Sequence, residues 1–290
     1  GVISTQGDSC RISPLLGLQF SPARLLQPLP CFRCLPGQRD SDLLPASRTI
    51  AGDGFIQNGI DALKAVWHRG AVDADGKTGD GAGIHVQIPL DFFTDMIERT
   101  GHKPREGEML AVGQVFLPRT NFGAQETCRT IIETEILRMG YYIYGWRHVP
   151  VNIDVLGEKA NATRPEIEQI LISNSKGVDE ETFERELYVI RRRVEKAALA
   201  AQVPTLYLAS LSCRSIIYKG MMLAQDVAEF YPDLKDERFE SAFAIYHQRY
   251  STNTVPQWWL AQPFRMLAHN GEINTLKGNV NWMKSHEIRM

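Results

Sequence analysis

From residue 55 onward, the apolar positions fall into periods that name their elements. Ile60, Leu63, Val66 and Trp67 recur at helical spacing between Gln57 and His68, and Gly70 supplies a stop, so a buried helix is predicted there. Gly76, Gly79, Gly81 and Gly83 form a turn-rich loop ahead of Ile84-His-Val-Gln-Ile-Pro89, which alternates as a strand does. Leu110 to Leu117 predicts a second strand. Residues 123–139, with Ile131, Ile132, Leu137 and Met139 set among charges, predict a helix ended by Gly140. Glu166 to Ile172 reads as a strand. Phe183, Leu187, Ile190, Val194 and Ala197 read as a helix, although Leu187 to Arg191 also alternates. Further strands are expected at Tyr207 to Leu211, Ser215 to Tyr218, Phe243 to Arg249 and Phe264 to Ala268. Strands there follow strands without intervening helices, which predicts an α+β class with mostly antiparallel sheets.

Residues 1–54 have a different character. The first 50 residues hold Pro14, Pro22, Pro28, Pro30, Pro36 and Pro45, use Arg without any Lys or Glu, and place their leucines without period. Such a stretch predicts neither an amphipathic helix nor an alternating strand, and it is expected to be disordered. Its Arg, Ser and scarcity of acids also suit a transit peptide, whereas a secretory signal is not expected, since no basic start precedes an apolar run.

Composition narrows the function classes. Lys+Arg 32 against Asp+Glu 34 gives a formal charge of −2, which leaves no general basic field for nucleic acid or anionic lipid. No run approaches the roughly 18 apolar residues that a membrane span requires. Neither nucleic acid nor membrane is therefore expected as a partner. The five cysteines (Cys10, Cys31, Cys34, Cys128 and Cys213) are an odd number in a long chain and argue for a reduced, cytoplasmic protein. Cys31-Phe-Arg-Cys34 lacks the second pair a tetrahedral zinc needs, and no metal site is expected.

Three polar clusters carry candidate chemistry. Gly79-Asp-Gly-Ala-Gly83 reads either as a phosphate cradle or as a turn where glycines let backbones cross; it lacks the Lys-Ser/Thr of a P-loop. Asp73-x-Asp75-x-Lys77 opens like a calcium loop, but Thr78 and Ile84 occupy positions that need Gly and Glu. His247-Gln-Arg-Tyr-Ser-Thr-Asn-Thr254 breaks from a predicted strand, and Arg249 there offers a planar fork for a carboxylate, with Tyr250, Ser251 and Thr252 beside it. In Leu267-Ala-His-Asn-Gly-Glu-Ile-Asn274, Asn270 and Gly271 can aim a side-chain NH₂ and a backbone N–H at one point, or simply form a turn.

Together these clusters are more specific than any one alone. Trp67-His-Arg-Gly through Gly83, Gly145-Trp-Arg, Phe239 through Thr254 and Asn270 through Trp282 resemble, in order and spacing, the class II glutamine amidotransferases among the N-terminal nucleophile hydrolases. Within that group they look like the amidotransferase domain of glutamate synthase large subunits. The long interval between Gly83 and His247 disfavours the asparagine and aminosugar synthases. The resemblance covers residues 55–290 and implies a four-layer αββα sandwich. It also implies L-glutamine as substrate, Asn270 and Gly271 as oxyanion donors, and Arg249, Tyr250 and Thr252 as substrate-binding residues.

Full-length members of that family would add a synthase domain, FMN, an iron–sulfur cluster, NADPH or ferredoxin as electron donor and a small subunit; none of those cofactors is expected in residues 55–290. The family nucleophile is an amino-terminal Cys followed by Gly, whose α-amine acts as base. No Cys-Gly occurs in this sequence, and Cys34 is the nearest thiol to the expected position. The expectation is therefore an amidotransferase domain truncated at both ends, preceded by a non-homologous segment and deprived of its nucleophile. The competing expectation is a non-catalytic, glutamine-binding or regulatory protein.

Overall fold

The computed structural model describes residues 2–5, 10–13, 54–105, 107–248, 255–265 and 276–287, with 2–5, 10–13 and 276–279 described by backbone alone. In chain order the elements are β1 (Val2–Thr5), β2 (Cys10–Ser13), α1 (Phe55–Ala65), β3 (Ala82–Gln87), α2 (Leu90–Arg99), β4 (Leu110–Leu117), α3 (Phe122–Arg138) and β5 (Tyr142–His148). They continue with α4 (Glu158–Ala162), β6 (Glu166–Ser173), α5 (Glu180–Ala200), β7 (Tyr207–Ser212), β8 (Ser215–Gly220), α6 (Val227–Phe230), β9 (Ala244–Gln248) and α7 (Leu276–Glu287). The strands form a five-stranded sheet, β2-β1-β9-β3-β8, and a four-stranded sheet, β5-β6-β4-β7, with every pairing antiparallel. The α+β class and antiparallel sheets are those the pattern predicts.

Alternation along β4 explains its uninterrupted apolar run, because both of its faces are covered. Val112 and Phe116 join Ile167 and Leu171 of β6, Ile84 and Val86 of β3, and Ile216 and Tyr218 of β8 in one core. Ala111, Val115 and Leu117 face the other way and pack with Cys128, Ile132 and Ile136 of α3 and Phe183, Leu187, Ile190 and Val194 of α5. The spacing of those α5 residues places them on one stripe, which settles the helix-or-strand ambiguity at Leu187 to Arg191. Asp179 caps α5 by accepting from the Thr182 amide at 2.9 Å, and Asn121 caps α3 by accepting from Ala124 at 3.0 Å. On the five-stranded sheet α1 lies across β9 and β3, where a β-carbon on Gly59 would meet the Ala244 methyl at 2.7 Å.

A polar knot ties the two sheets together inside this core. Arg147 of β5 makes a bidentate pair with Asp233 (2.7 Å for each bond) and donates to Gln169 Oε1 at 2.8 Å. Gln169 donates to Gln114 of β4 and to the Tyr218 hydroxyl of β8, and that hydroxyl donates to Asp233 at 2.9 Å. The Asp233 side chain is 3% exposed, so each charge depends on the other for solvation.

The structure departs from the sequence expectations in several places. Within the first segment, β1 and β2 pair antiparallel, and β1 pairs with β9 through Val2↔Ile245 and Ile3↔Ala244. The edge of β9 presents unpaired backbone groups that a short extended segment rich in β-branched residues satisfies. Residues 14–53, including Cys34, lie outside the described residues. The first helix ends at Ala65 rather than His68, because the Val66 carbonyl accepts a hydrogen bond from the Gln248 side chain and Trp67–Arg69 turns as a 3₁₀ segment. The expected strand at Phe264 to Ala268 is described only at Phe264 and Arg265.

Replacing Asp233 by Ala is expected to cost about 3–5 kcal/mol of stability, since it strands a buried guanidinium. The double replacement Arg147→Met/Asp233→Leu should recover most of that loss. Urea unfolding measures both, and a loss below about 1 kcal/mol for Asp233→Ala would contradict this account.

Candidate functional site at the β3–β9 end

Backbone packing that only glycine permits shapes the end of the five-stranded sheet where β3 begins and β9 stops. A β-carbon on Gly79 would overlap the Met222 carbonyl. One on Gly81, whose φ is +130°, would press on Ala261 at 3.0 Å. One on Gly83 would sit 2.6 Å from Lys219 Cβ, 2.7 Å from the Tyr218 carbonyl oxygen and 2.8 Å from that of Gln262. The Gly79–Gly83 run is thus a crossing point filled by protein atoms, which decides between its two sequence readings.

The acidic turn before it is equally self-contained. Both Asp75 oxygens are engaged by Thr78, with the Lys77 amide also on Oδ1, and these bonds hold the Asp75 carboxyl down to about 2. Asp73 pairs with Lys159 at 2.7 Å. Neither carboxylate is arranged as a calcium ligand.

β9 runs beside β3 with Gly83↔His247 and Ala82↔Gln248 in register, so the chain leaves the sheet toward Arg249 at this end. Residues 255–265 return across the same end as a strap. Trp258 is 1% exposed, lies against Gly220 and donates its indole N–H to the Ala160 carbonyl at 3.0 Å. The Trp259 carbonyl accepts from Lys219 Nζ at 2.9 Å, and the same ammonium donates to the Tyr207 hydroxyl at 3.0 Å. The Lys219 nitrogen also lies 4.6 Å from the Phe264 ring centroid and 4.8 Å from that of Tyr207. Arg265 closes the strap by pairing with Glu184 of α5, which also accepts from Ser212 Oγ at 2.8 Å and the Cys213 amide at 3.0 Å.

Burial sets the charges here. Lys219 is fully buried, and its pKa is pulled down to about 7. His85, on the Gly83 side of β3, is brought down to about 4 by burial and by the Arg265 charge, so its ring is neutral at pH 7. Burial raises the thiols of Cys128 and Cys213 to about 11. Neither is a ready nucleophile at neutral pH.

Arg249, Tyr250, Thr252, Asn270 and Gly271 lie outside the described residues. Their roots are described. Residues 249–254 depart from Gln248 beside Ala82, and residues 266–275 depart from Arg265, whose charge acts on His85. The first root is in register with β3, and the strap from which the second departs packs on β3 at Ala261 and Gln262. A cleft of about 500 Å³ lined by Gln57, Lys235, Glu237 and Glu240 opens beside the start of α1. Lys219, Glu184, Arg265 and His85 escaped the sequence reading. The signal for Lys219 was its place at the end of the apolar strand Ser215-Ile-Ile-Tyr218. Among the described residues no helix is long and apolar enough to cross a membrane.

Comparison with known proteins agrees with the motif reading. A family described as "Glutamine amidotransferases class-II" matches residues 48–290. The chain is 70% identical over 235 residues to Glutamate synthase (NADPH) large chain of Azospirillum brasilense, covering 81% of this chain and 15% of that protein. It is 41% identical over 270 residues to Ferredoxin-dependent glutamate synthase, chloroplastic, of Oryza sativa subsp. japonica, covering 88% and 17%. Against Glutamate synthase (NADPH) large chain of Bacillus subtilis it is 43% identical over 238 residues, covering 80% and 15%. The chain thus spans only 15–17% of the length of these relatives.

Two outcomes test this geometry. Gly83→Ala should lose about 3 kcal/mol or more by overpacking against backbone. Gly76→Ala, at φ +71° with open space around it, should lose only about 1–2 kcal/mol of conformational strain. Thermal unfolding separates them. Because the pKa of Lys219 is lower folded than unfolded, the unfolded chain binds more protons between about 7 and the ordinary lysine range, so this group's contribution to stability rises with pH across that window. The difference between wild type and Lys219→Met in urea unfolding should show that slope, and a flat difference would contradict the burial argument.

Proposed function

The chain belongs to the class-II glutamine amidotransferases, and from that membership we propose that it binds L-glutamine at the β3–β9 end as the amidotransferase part of a glutamate synthase. The observation that supports this reading is that β9, which leads into residues 249–254, and residues 255–265, which lead into residues 266–275, both pack on the Gly81–Gly83 end of β3. In this reading Arg249, the first residue after β9, grips the α-carboxylate through its planar fork, with Tyr250 and Thr252 lining the pocket. Asn270 and the Gly271 N–H hold the oxygen that becomes negative when a thiolate adds to the side-chain carbonyl. Collapse of that adduct releases ammonia, and water then frees glutamate from the thioester.

The nucleophile is the weak point of this sequence. None of its five cysteines is followed by glycine, and the two thiols of known placement are raised to about 11 by burial. The proposal is accordingly tight glutamine binding with hydrolysis slow or absent. That observation also favours the second reading, a glutamine-binding protein without catalysis that regulates a partner. In the longer glutamate synthases the ammonia would reach 2-oxoglutarate in a synthase domain of the same chain, with FMN, an iron–sulfur cluster, NADPH or ferredoxin, and a small subunit. Among the described residues no group of three His, Cys, Asp or Glu side chains is set to bind a metal, and protein atoms fill the Gly79–Gly83 crossing. No step in the present scheme passes through those cofactors.

Calorimetric titration with L-glutamine tests the reading. Wild type should bind it, and Arg249→Leu should weaken binding by about 10- to 100-fold as a charge-assisted pair is lost. Absence of binding to wild type, or an unchanged affinity in the variant, would overturn it. A thiol-directed glutamine analogue separates the two readings: labelling at Cys34 together with turnover would identify the nucleophile and remove the non-catalytic alternative.

A further inference from the structure

Two segments distant in sequence meet on one buried residue of α4. Ala160 is fully buried; its N–H donates to Thr78 Oγ1 at 3.4 Å, and its carbonyl accepts from the Trp258 indole at 3.0 Å. Thr78 belongs to the turn that leads into β3, which is closed by the Val72↔Gly79 bridge and by the Asp73 amide donating to the Thr78 carbonyl at 2.9 Å. Trp258 belongs to the strap. The turn is seated directly against the start of α4, since a β-carbon on Gly157 would overlap the Thr78 hydroxyl and the Asp75 carboxylate. Lys77 Nζ adds a bond to the Asp154 carbonyl at 3.4 Å, and Lys159 of α4 pairs with Asp73. Turn and strap also flank one strand end: the turn continues into β3 at Ala82, and Ala261 and the Gln262 carbonyl pack on Gly81 and Gly83.

α4 has little stability of its own. It is five residues long, whereas an isolated helix shorter than about 12–15 residues is marginal in water. Its shape comes from the neighbours that hold it, the turn at the Ala160 N–H and the strap at the Ala160 carbonyl. Loss of either support removes the surface on which the other rests. We propose that residues 71–80, α4 and the strap form one cooperative unit, in which the seating of the strap on β3 is controlled from the turn through the two bonds to Ala160. The tip of the turn, residues 74–77, is exposed, so a molecule that grips it acts on the strap without touching it. The strap's other anchors, the Lys219 bond to the Trp259 carbonyl and the Arg265–Glu184 pair, do not pass through α4. The coupling holds whatever ligand the β3–β9 end takes.

Native-state hydrogen exchange of the 290-residue chain, read over residues 71–80, 156–163 and 255–265 in a low-urea series, tests the coupling. In wild type the three segments should open together, with one urea dependence, and faster than α3 and α5. Thr78→Val removes the hydroxyl that bonds Asp75 and Ala160 and alters no strap contact. It should raise exchange of the Leu260 and Ala261 amides, which donate to the Gln257 carbonyl, about fivefold, as the loss of one buried hydrogen bond implies. Trp258→Phe keeps a ring but removes the indole N–H, and by reciprocity it should raise exchange of the Asp73 and Asp80 amides of the turn by a similar factor. A strap at wild-type protection in Thr78→Val, or a turn at wild-type protection in Trp258→Phe, would overturn the proposal. If either variant does not fold, the wild-type series decides: separate urea dependences for turn and strap, or a strap that exchanges no faster than α5, contradict it. No glutamine is present in these measurements, so failure here leaves the glutamine reading standing.

Discussion

Missing β-carbons at Gly79, Gly81 and Gly83 allow three other parts of the chain to come within contact distance of one strand end: the Met222 backbone, Ala261 of the strap and the Lys219 stem. Everything proposed for the site follows from that close approach. A side chain at Gly83 would overlap the Lys219 stem and the Tyr218 and Gln262 carbonyls, and so disturb the packing of residues 255–265 on β3. The same packing leaves the backbone of the run in contact with protein atoms along its length.

Two buried cations show how differently the molecule uses charge. Arg147 has a bidentate carboxylate and lies in a hydrogen-bonded network between the sheets, where breaking one partner is costly and the whole acts as a register pin for β4, β5, β6 and β8. Lys219 has only a carbonyl, a hydroxyl and two ring faces, an arrangement that leaves its proton loosely held. The first is suited to stiffening the scaffold. The second sits where residues 255–265 meet the sheet, and burial there pulls its pKa down to about 7.

Much of the scaffold was readable before any coordinates. The α5 stripe and the two-sided burial of β4 follow from periods of 3.6 and 2, and Leu110–Leu117 has the boundaries its apolar run suggests. Other elements were hidden for physical reasons. α2 buries Phe92, Phe93, Met96 and Ile97, a stripe too short to stand out from the strand and proline before it. β5 contains a register shift between Ile143 and Gly145 that breaks its alternation, although the Gly145-Trp-Arg motif marks the place and Arg147 is its structural yield. The pair of β1 and β2 depends on the open edge of β9, which no local pattern records. For the site, motif order suggested which residues to consider, whereas the supporting contacts of Lys219, Glu184 and Arg265 join residues 12 to 81 positions apart and have no local signature.

The central claim is the proposal that Arg249, Asn270 and Gly271 together hold one glutamine molecule. The most direct test is a crystal structure of the chain with L-glutamine bound. The α-carboxylate should lie on the Arg249 guanidinium, and the side-chain carbonyl oxygen should lie within hydrogen-bond distance of Asn270 Nδ2 and the Gly271 N–H. Glutamine bound elsewhere, for example in the cleft beside α1, or Arg249 and Asn270 facing different parts of the molecule, would contradict the account.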